Sequence, residues 1–120
     1  MDMPLKTITP EQLMQKMQRK EQLVVLDVRD QEKYNNFHIE GDNIQSINIH
    51  KKEIFGLEEN KEKELPALPR GSEIIVTCTT GNSATKCATI LAEQDYDVAV
   101  LEGGLTAWKE YLKMGNQKEK

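Results

Sequence analysis

"VTCTTGNSATKC", residues 76–87, closes an apolar run with a cysteine and continues in small polar residues. Upstream, "IIVTC" (74–78) reads as a buried strand. Downstream, from about Ala84 to Gln94, a helix is expected, with Ala84, Cys87, Ala88 and Leu91 on one apolar face. Cys78 therefore stands where a strand stops and a helix is about to start. Such a junction presents free backbone N–H groups and the positive end of a helix dipole. Gly81 lets the chain curl tightly, and Thr79, Thr80, Asn82 and Ser83 are small enough to leave their N–H groups turned inward. A ring of inward N–H groups stabilises an anion without a charged side chain, and the thiolate is the reactive form of cysteine. Two readings of the stretch follow: a packed cysteine ahead of an ordinary strand–helix turn, or a cysteine nucleophile in an anion-binding loop.

The surroundings give Cys78 a setting. "TPEQLMQKMQRK" (9–20) reads as a helix, with Thr9 as N-cap, Pro10 at the first helical position and Gln12 completing a capping box. Leu13, Met14 and Met17 form its buried stripe. "LVVLDV" (23–28) is nearly all apolar, as a strand buried on both faces of a parallel sheet should be. "DQEKYNNF" (30–37) is a short helix capped by Asp30, and "SINIH" (46–50) a second strand. Residues 51–64 mix charges of both signs and read as a solvated helix and loop; 65–73 is a connection punctuated by Pro and Gly. "DVAVLEGG" (97–104) gives a last strand and a glycine turn, "LTAWKEYLKM" (105–114) a last helix with Trp108 in the core, and 115–120 a frayed tail. Strands alternating with helices specify an α/β domain with a mostly parallel sheet and helices on both faces.

Bulk properties narrow the function. The 120 residues are expected to form one domain, 1–120, with its core over about 5–113. A net charge of −4 speaks against a nucleic-acid partner, and no apolar run reaches the roughly 18 residues of a membrane span. The N-terminus lacks the apolar core of a signal peptide. Two cysteines imply no disulfide framework, and a cytoplasmic protein with reduced thiols is expected. His38 and His50 have no metal-ligand spacing with Cys78 and Cys87, so no metal is expected.

Three segments carry a resemblance. "LDVRDQEKYNNFHIEG" (26–41), "VTCTTGNSA" (76–84) and "VAVLEGGLTAW" (98–108) resemble, in order and separation, the motifs of single-domain rhodanese homologues. The likeness covers roughly residues 5 to 113. It implies a rhodanese-like three-layer sandwich, a parallel five-stranded sheet between helices. It also implies a sulfurtransferase: Cys78 takes sulfur from thiosulfate or a persulfide donor and passes it, as a persulfide, to cyanide or a protein thiol. The loop amides of Thr79, Thr80, Gly81, Asn82 and Ser83 would hold the sulfur, and no cofactor is needed. Many members of that family carry a cation inside the loop. Here the loop is neutral and the nearest basic residue in sequence is Lys86, so thiosulfate is expected to bind weakly. "HIEGDNIQSINI" (38–49) is also longer than the usual segment, with Glu40 where proline is common.

Asp27 and Arg29 are read as a structural ion pair near the site, His38 as a structural histidine, and Cys87 as buried packing with a resolving thiol as the lesser alternative. Two other classes of function fit the stretch less well. Phosphatases and arsenate reductases of related fold need an arginine six positions after the cysteine, and position 84 is alanine. Inert rhodanese-like interaction modules typically lose the cysteine, and Cys78 is present.

Overall fold

The computed structural model describes residues 5–59, 68–69 and 71–118. Its elements run β1 (Lys6–Ile8), α1 (Pro10–Gln18), β2 (Leu23–Asp27), α2 (Gln31–Asn36), β3 (Ile44–Asn48), α3 (Lys51–Glu59), β4 (Ile74–Thr77), α4 (Asn82–Glu93), β5 (Val98–Leu101) and α5 (Gly104–Lys118). The five strands form one sheet in the order β1-β5-β4-β2-β3, every pair parallel.

Strand alternation sorts the core into two layers. Val24, Leu26, Ile74, Val76, Val98 and Val100 face one side, where Ile54 and Leu57 of α3 and Cys87, Ala88 and Leu91 of α4 cover them. Leu23, Val25, Ile75, Ala99 and Leu101 face the other, under Leu13 of α1 and Leu105 and Trp108 of α5. β2 and β4 are buried along their whole length, which explains their continuous apolar sequences. Each Leu, Ile or Val so buried contributes about 1.5–3 kcal/mol relative to exposure. The sheet with helices on both faces is the expected fold class.

Local signals act as read at the first helix. Thr9 Oγ1 accepts the N–H of Gln12 at 3.1 Å, and Gln12 Oε1 accepts the N–H of Thr9 at 2.9 Å, closing the capping box. Asp30 caps α2 by accepting the N–H of Lys33 at 2.9 Å.

One strand is absent from the sequence reading and several boundaries differ from it. β1 went unread, because three residues with one buried side chain carry no periodicity. β3 starts two residues before Ser46, where Ile44 pairs with Leu23. α5 runs to Lys118, past the tail expected from 115. α4 starts at Asn82 rather than Ala84, because Gly81 takes φ +102° and serves as its N-cap. The loop expected over 60–64 and most of the 65–73 connection lie outside the described residues.

Candidate active site

From β2 the chain moves outward to β3, returns to β4 on the other side of β2, and continues outward to β5. The order of strands thus reverses between β2 and β4, and ligands of open parallel sheets bind beyond the carboxyl ends at such a point. Backbone bonds bring these ends to one level. The N–H of Val28 donates to Thr77 O at 3.0 Å, that of Ile49 to Asp27 O at 3.1 Å and that of Lys51 to Val28 O at 3.0 Å.

Cys78 is the first residue past β4 and only 5% exposed. Its Sγ accepts the N–H of Gly81 at 3.0 Å and the N–H of Ala84 at 3.4 Å. Two amide donors on one sulfur suit a sulfur that carries negative charge. The left-handed Gly81 makes this turn possible, and Thr85 fastens it by donating its Oγ1–H to Gly81 O at 2.8 Å. From behind, the first turn of α5 grips the same loop: Leu105 N–H donates to Cys78 O at 2.9 Å and Thr106 N–H to Thr79 O at 3.0 Å. Gly104, at φ +61°, permits this approach; a Cβ there would meet Cys78 O at 2.5 Å.

In front of Cys78 lies an open pocket of about 150 Å³. Thr79, Thr80 and Ser83 line it, as do Arg29 and Asp30 after β2, Lys33 of α2, and His50 and Lys51 after β3. Of the five loop residues proposed for binding, Gly81 contributes through its amide to Sγ, and Asn82 stands exposed on the first turn of α4, outside the lining. The neutral loop does not leave the site without cations. Arg29, Lys33 and Lys51 line it, whereas Lys86 is absent from the lining and its Nζ sits 4.6 Å over the ring of Phe55.

Asp27 and Arg29 form a buried bidentate pair, with Arg29 Nη2 to Asp27 Oδ2 at 2.7 Å and Nε to Oδ1 at 2.9 Å. Arg29 Nη2 also donates to Phe37 O. The pair fixes the chain leaving β2. His38 is not at the pocket. Its Nδ1 donates to Tyr34 O at 2.8 Å, its ring stacks on Tyr34 at 4.0 Å, and it borders a separate groove beside Trp108. Cys87 is fully buried on the face of α4 that packs against the sheet. Burial pushes its thiol up to about 12, the nearby Cys78 adds to the rise, and Lys51 and Lys86 pull weakly the other way. Among the described residues no group of three or more His, Cys, Asp or Glu is placed to hold a metal ion.

Sequence reasoning missed Lys33, His50, Lys51 and the amide of Ala84. The signal for His50 and Lys51 was available: they lie two and three residues past the end of β3, on the carboxyl side where Cys78 follows β4. Ala84 became visible only once α4 was seen to begin at Asn82.

Residues 9–111 match the family model of the rhodanese-like domain. The thiosulfate sulfurtransferase GlpE of Shewanella oneidensis is 30% identical over 106 residues, spanning 88% of this chain and 93% of its own. The protein of that name from Pseudoalteromonas translucida is 36% identical over 92 residues, 75% of this chain and 76% of its own. The crystal structure of a rhodanese-related protein from Thermoplasma volcanium superposes with a TM-score of 0.67 at 26% identity, covering 88% of this chain and 92% of that one.

Proposed function

Because the chain belongs to the rhodanese-like domain family, we propose that it is a sulfurtransferase that carries sulfur on Cys78, with thiosulfate as a donor. The observation that carries this reading is the placement of Cys78 Sγ under the N–H groups of Gly81 and Ala84, facing a pocket lined with cations. In the first step the Cys78 thiolate attacks the outer sulfur of thiosulfate. The new S–S bond leaves a persulfide on the protein, and sulfite departs with the electron pair of the broken S–S bond. In the second step an acceptor such as cyanide attacks the terminal sulfur, thiocyanate leaves, and the thiolate is restored. Charge and sulfur balance in both steps, and the scheme is ping-pong.

The loop amides are the groups that meet the charge on sulfur before and after transfer. The GlpE proteins named above support thiosulfate as the donor. Retention of Cys78 in this cradle favours an enzyme over an inert interaction module. Chemistry on a free thiol suits a cytoplasmic setting, where thiols stay reduced.

Intact mass after incubation with thiosulfate tests the reading. One sulfur atom should be gained and then lost on adding cyanide, while Cys78→Ser gains none with its circular dichroism unchanged. A wild-type protein that gains no sulfur, or gains it on Cys87, would overturn it.

A further inference from the structure

Of the two lysines in the pocket lining, Lys33 is exposed and Lys51 half-buried. Its position is set by the sheet: its backbone N–H is bonded to Val28 O at 3.0 Å, so it cannot drift from the end of β2. Among the described residues it has no carboxylate within ion-pair distance. The single carboxylate of the lining, that of Asp30, is engaged in capping α2. An ammonium at the wall of an open pocket, with no carboxylate partner among the described residues, is available to an anion bound there.

His50 precedes it in the same wall. Its Nδ1 accepts the N–H of Lys52 at 3.1 Å, so the proton of the neutral ring is on Nε2. This bond sets the neutral ring's tautomer and leaves a donor on the other ring nitrogen.

We propose that Lys51, assisted by the Nε2–H of His50, binds the sulfonate end of the donor and the sulfite that leaves, and so makes this chain selective for donors bearing a sulfonate on the transferred sulfur. The inference rests on the sulfurtransferase reading. In the first displacement, two negative charges stay on the sulfite as the S–S bond breaks. Lys51 meets negative charge at that end in the donor and in the departing sulfite alike, so its loss acts on KM rather than on kcat, while the amides of Gly81 and Ala84 hold the persulfide left on Cys78.

The test uses two probes of nearly equal size, neutral iodoacetamide and anionic iodoacetate, with mass spectrometry reading the rate at Cys78. In Lys51→Gln the iodoacetate rate should fall about tenfold against the iodoacetamide rate, as expected for one partly screened charge-assisted contact. Lys51→Arg should keep the wild-type ratio. His50→Asn, which retains a capping oxygen, should lower it less. With thiosulfate, Lys51→Gln should raise KM about tenfold and change kcat little. An unchanged ratio in Lys51→Gln, or both probes slowed alike, would overturn the proposal. The iodoacetamide rate reports whether the loop has survived the substitution. If the wild type fails to take sulfur from thiosulfate, the sulfurtransferase reading falls, while the probe ratio still decides whether Lys51 receives an anion.

Discussion

Leu105 holds Cys78 by the main chain: its N–H donates to the Cys78 carbonyl at 2.9 Å, from the opposite end of the sequence motif set. The bond ties the nucleophile's own peptide plane to the first turn of α5. It exists because Gly103 and Gly104 both take positive φ, +73° and +61°, and bring that turn against the loop. The glycine pair of "LEGGLTAW" is therefore part of the site, although neither glycine touches the pocket.

Gly104→Ala should damage activity more than stability. The added Cβ would meet Cys78 O at 2.5 Å and Thr79 O at 2.7 Å, and the backbone would keep a strained φ. Relief requires α5 to withdraw from the loop, which turns the peptide groups that hold Sγ. A loss of about 1–3 kcal/mol in stability is expected from the strain. Persulfide formation by intact mass should fall far more steeply than that destabilisation accounts for. Full activity in a destabilised Gly104→Ala would show that the loop keeps its shape without α5.

The Asp27–Arg29 pair should behave as a buried unit. Their side chains are 1% and 9% exposed, so removing one leaves the other charged and unsolvated. Asp27→Ala and Arg29→Ala should each cost about 3–5 kcal/mol in urea unfolding. The double variant should cost clearly less than their sum. Arg29→Lys should not restore the pair, because a single ammonium cannot make its fork of bonds. Strict additivity would mean that the two residues act separately.

Cys87 should make the protein sensitive to alkali. Its folded-state value is raised from 9.0 to about 12, chiefly by burial. Between those values the unfolded chain has released the proton and the folded chain keeps it. The contribution is thus complete below pH 9 and is lost as pH rises toward 12, at up to about 1.4 kcal/mol per pH unit. Cys87→Ala lacks this slope and should start less stable at pH 7 because of its cavity. The stability gap between wild type and variant should therefore narrow in urea titrations run from pH 8 to pH 10.5. A constant gap would mean that the folded thiol ionises as readily as the unfolded one.

Where local chemistry fixed the outcome, the sequence was a sufficient guide. Thr9 with Gln12 and Asp30 ahead of Lys33 cap as read, since capping depends on a few adjacent atoms. The apolar runs at 23–27 and 74–77 could only be central strands. The start of α4 was misplaced because Thr79 to Ser83 are all indifferent helix formers, and the left-handed Gly81 decides the boundary. The pocket's cations were harder still. Lys33 and Lys51 lie 45 and 27 residues before Cys78 in sequence, and only the strand order β4-β2-β3 gathers them beside it. Searching near Cys78 along the chain led to Lys86, which the fold turns onto Phe55. Applying the carboxyl-end rule to β2 and β3 as well as to β4 would have pointed to Arg29, His50 and Lys51 together.

That correction changes what is expected of thiosulfate. A donor held by amides and a helix dipole alone would bind weakly and respond little to salt, each contact being worth less than about 1 kcal/mol. The pocket instead presents Arg29, Lys33 and Lys51 against the single carboxylate of Asp30. Arg29 is already paired with Asp27, so the two lysines carry the unspent charge. Attraction of a dianion by partly exposed lysines is screened by ions. Raising the ionic strength from about 0.1 M to about 1 M shortens the screening length from about 10 Å to about 3 Å. KM for thiosulfate should then rise at least about threefold, while kcat stays within about twofold, because the sulfur step occurs at the sheltered Cys78. Equal rises in sodium chloride and potassium glutamate would separate screening from competition by chloride. A KM that stays flat through both salt series would return the donor to the amides of the loop and leave the lysines without a part in its binding.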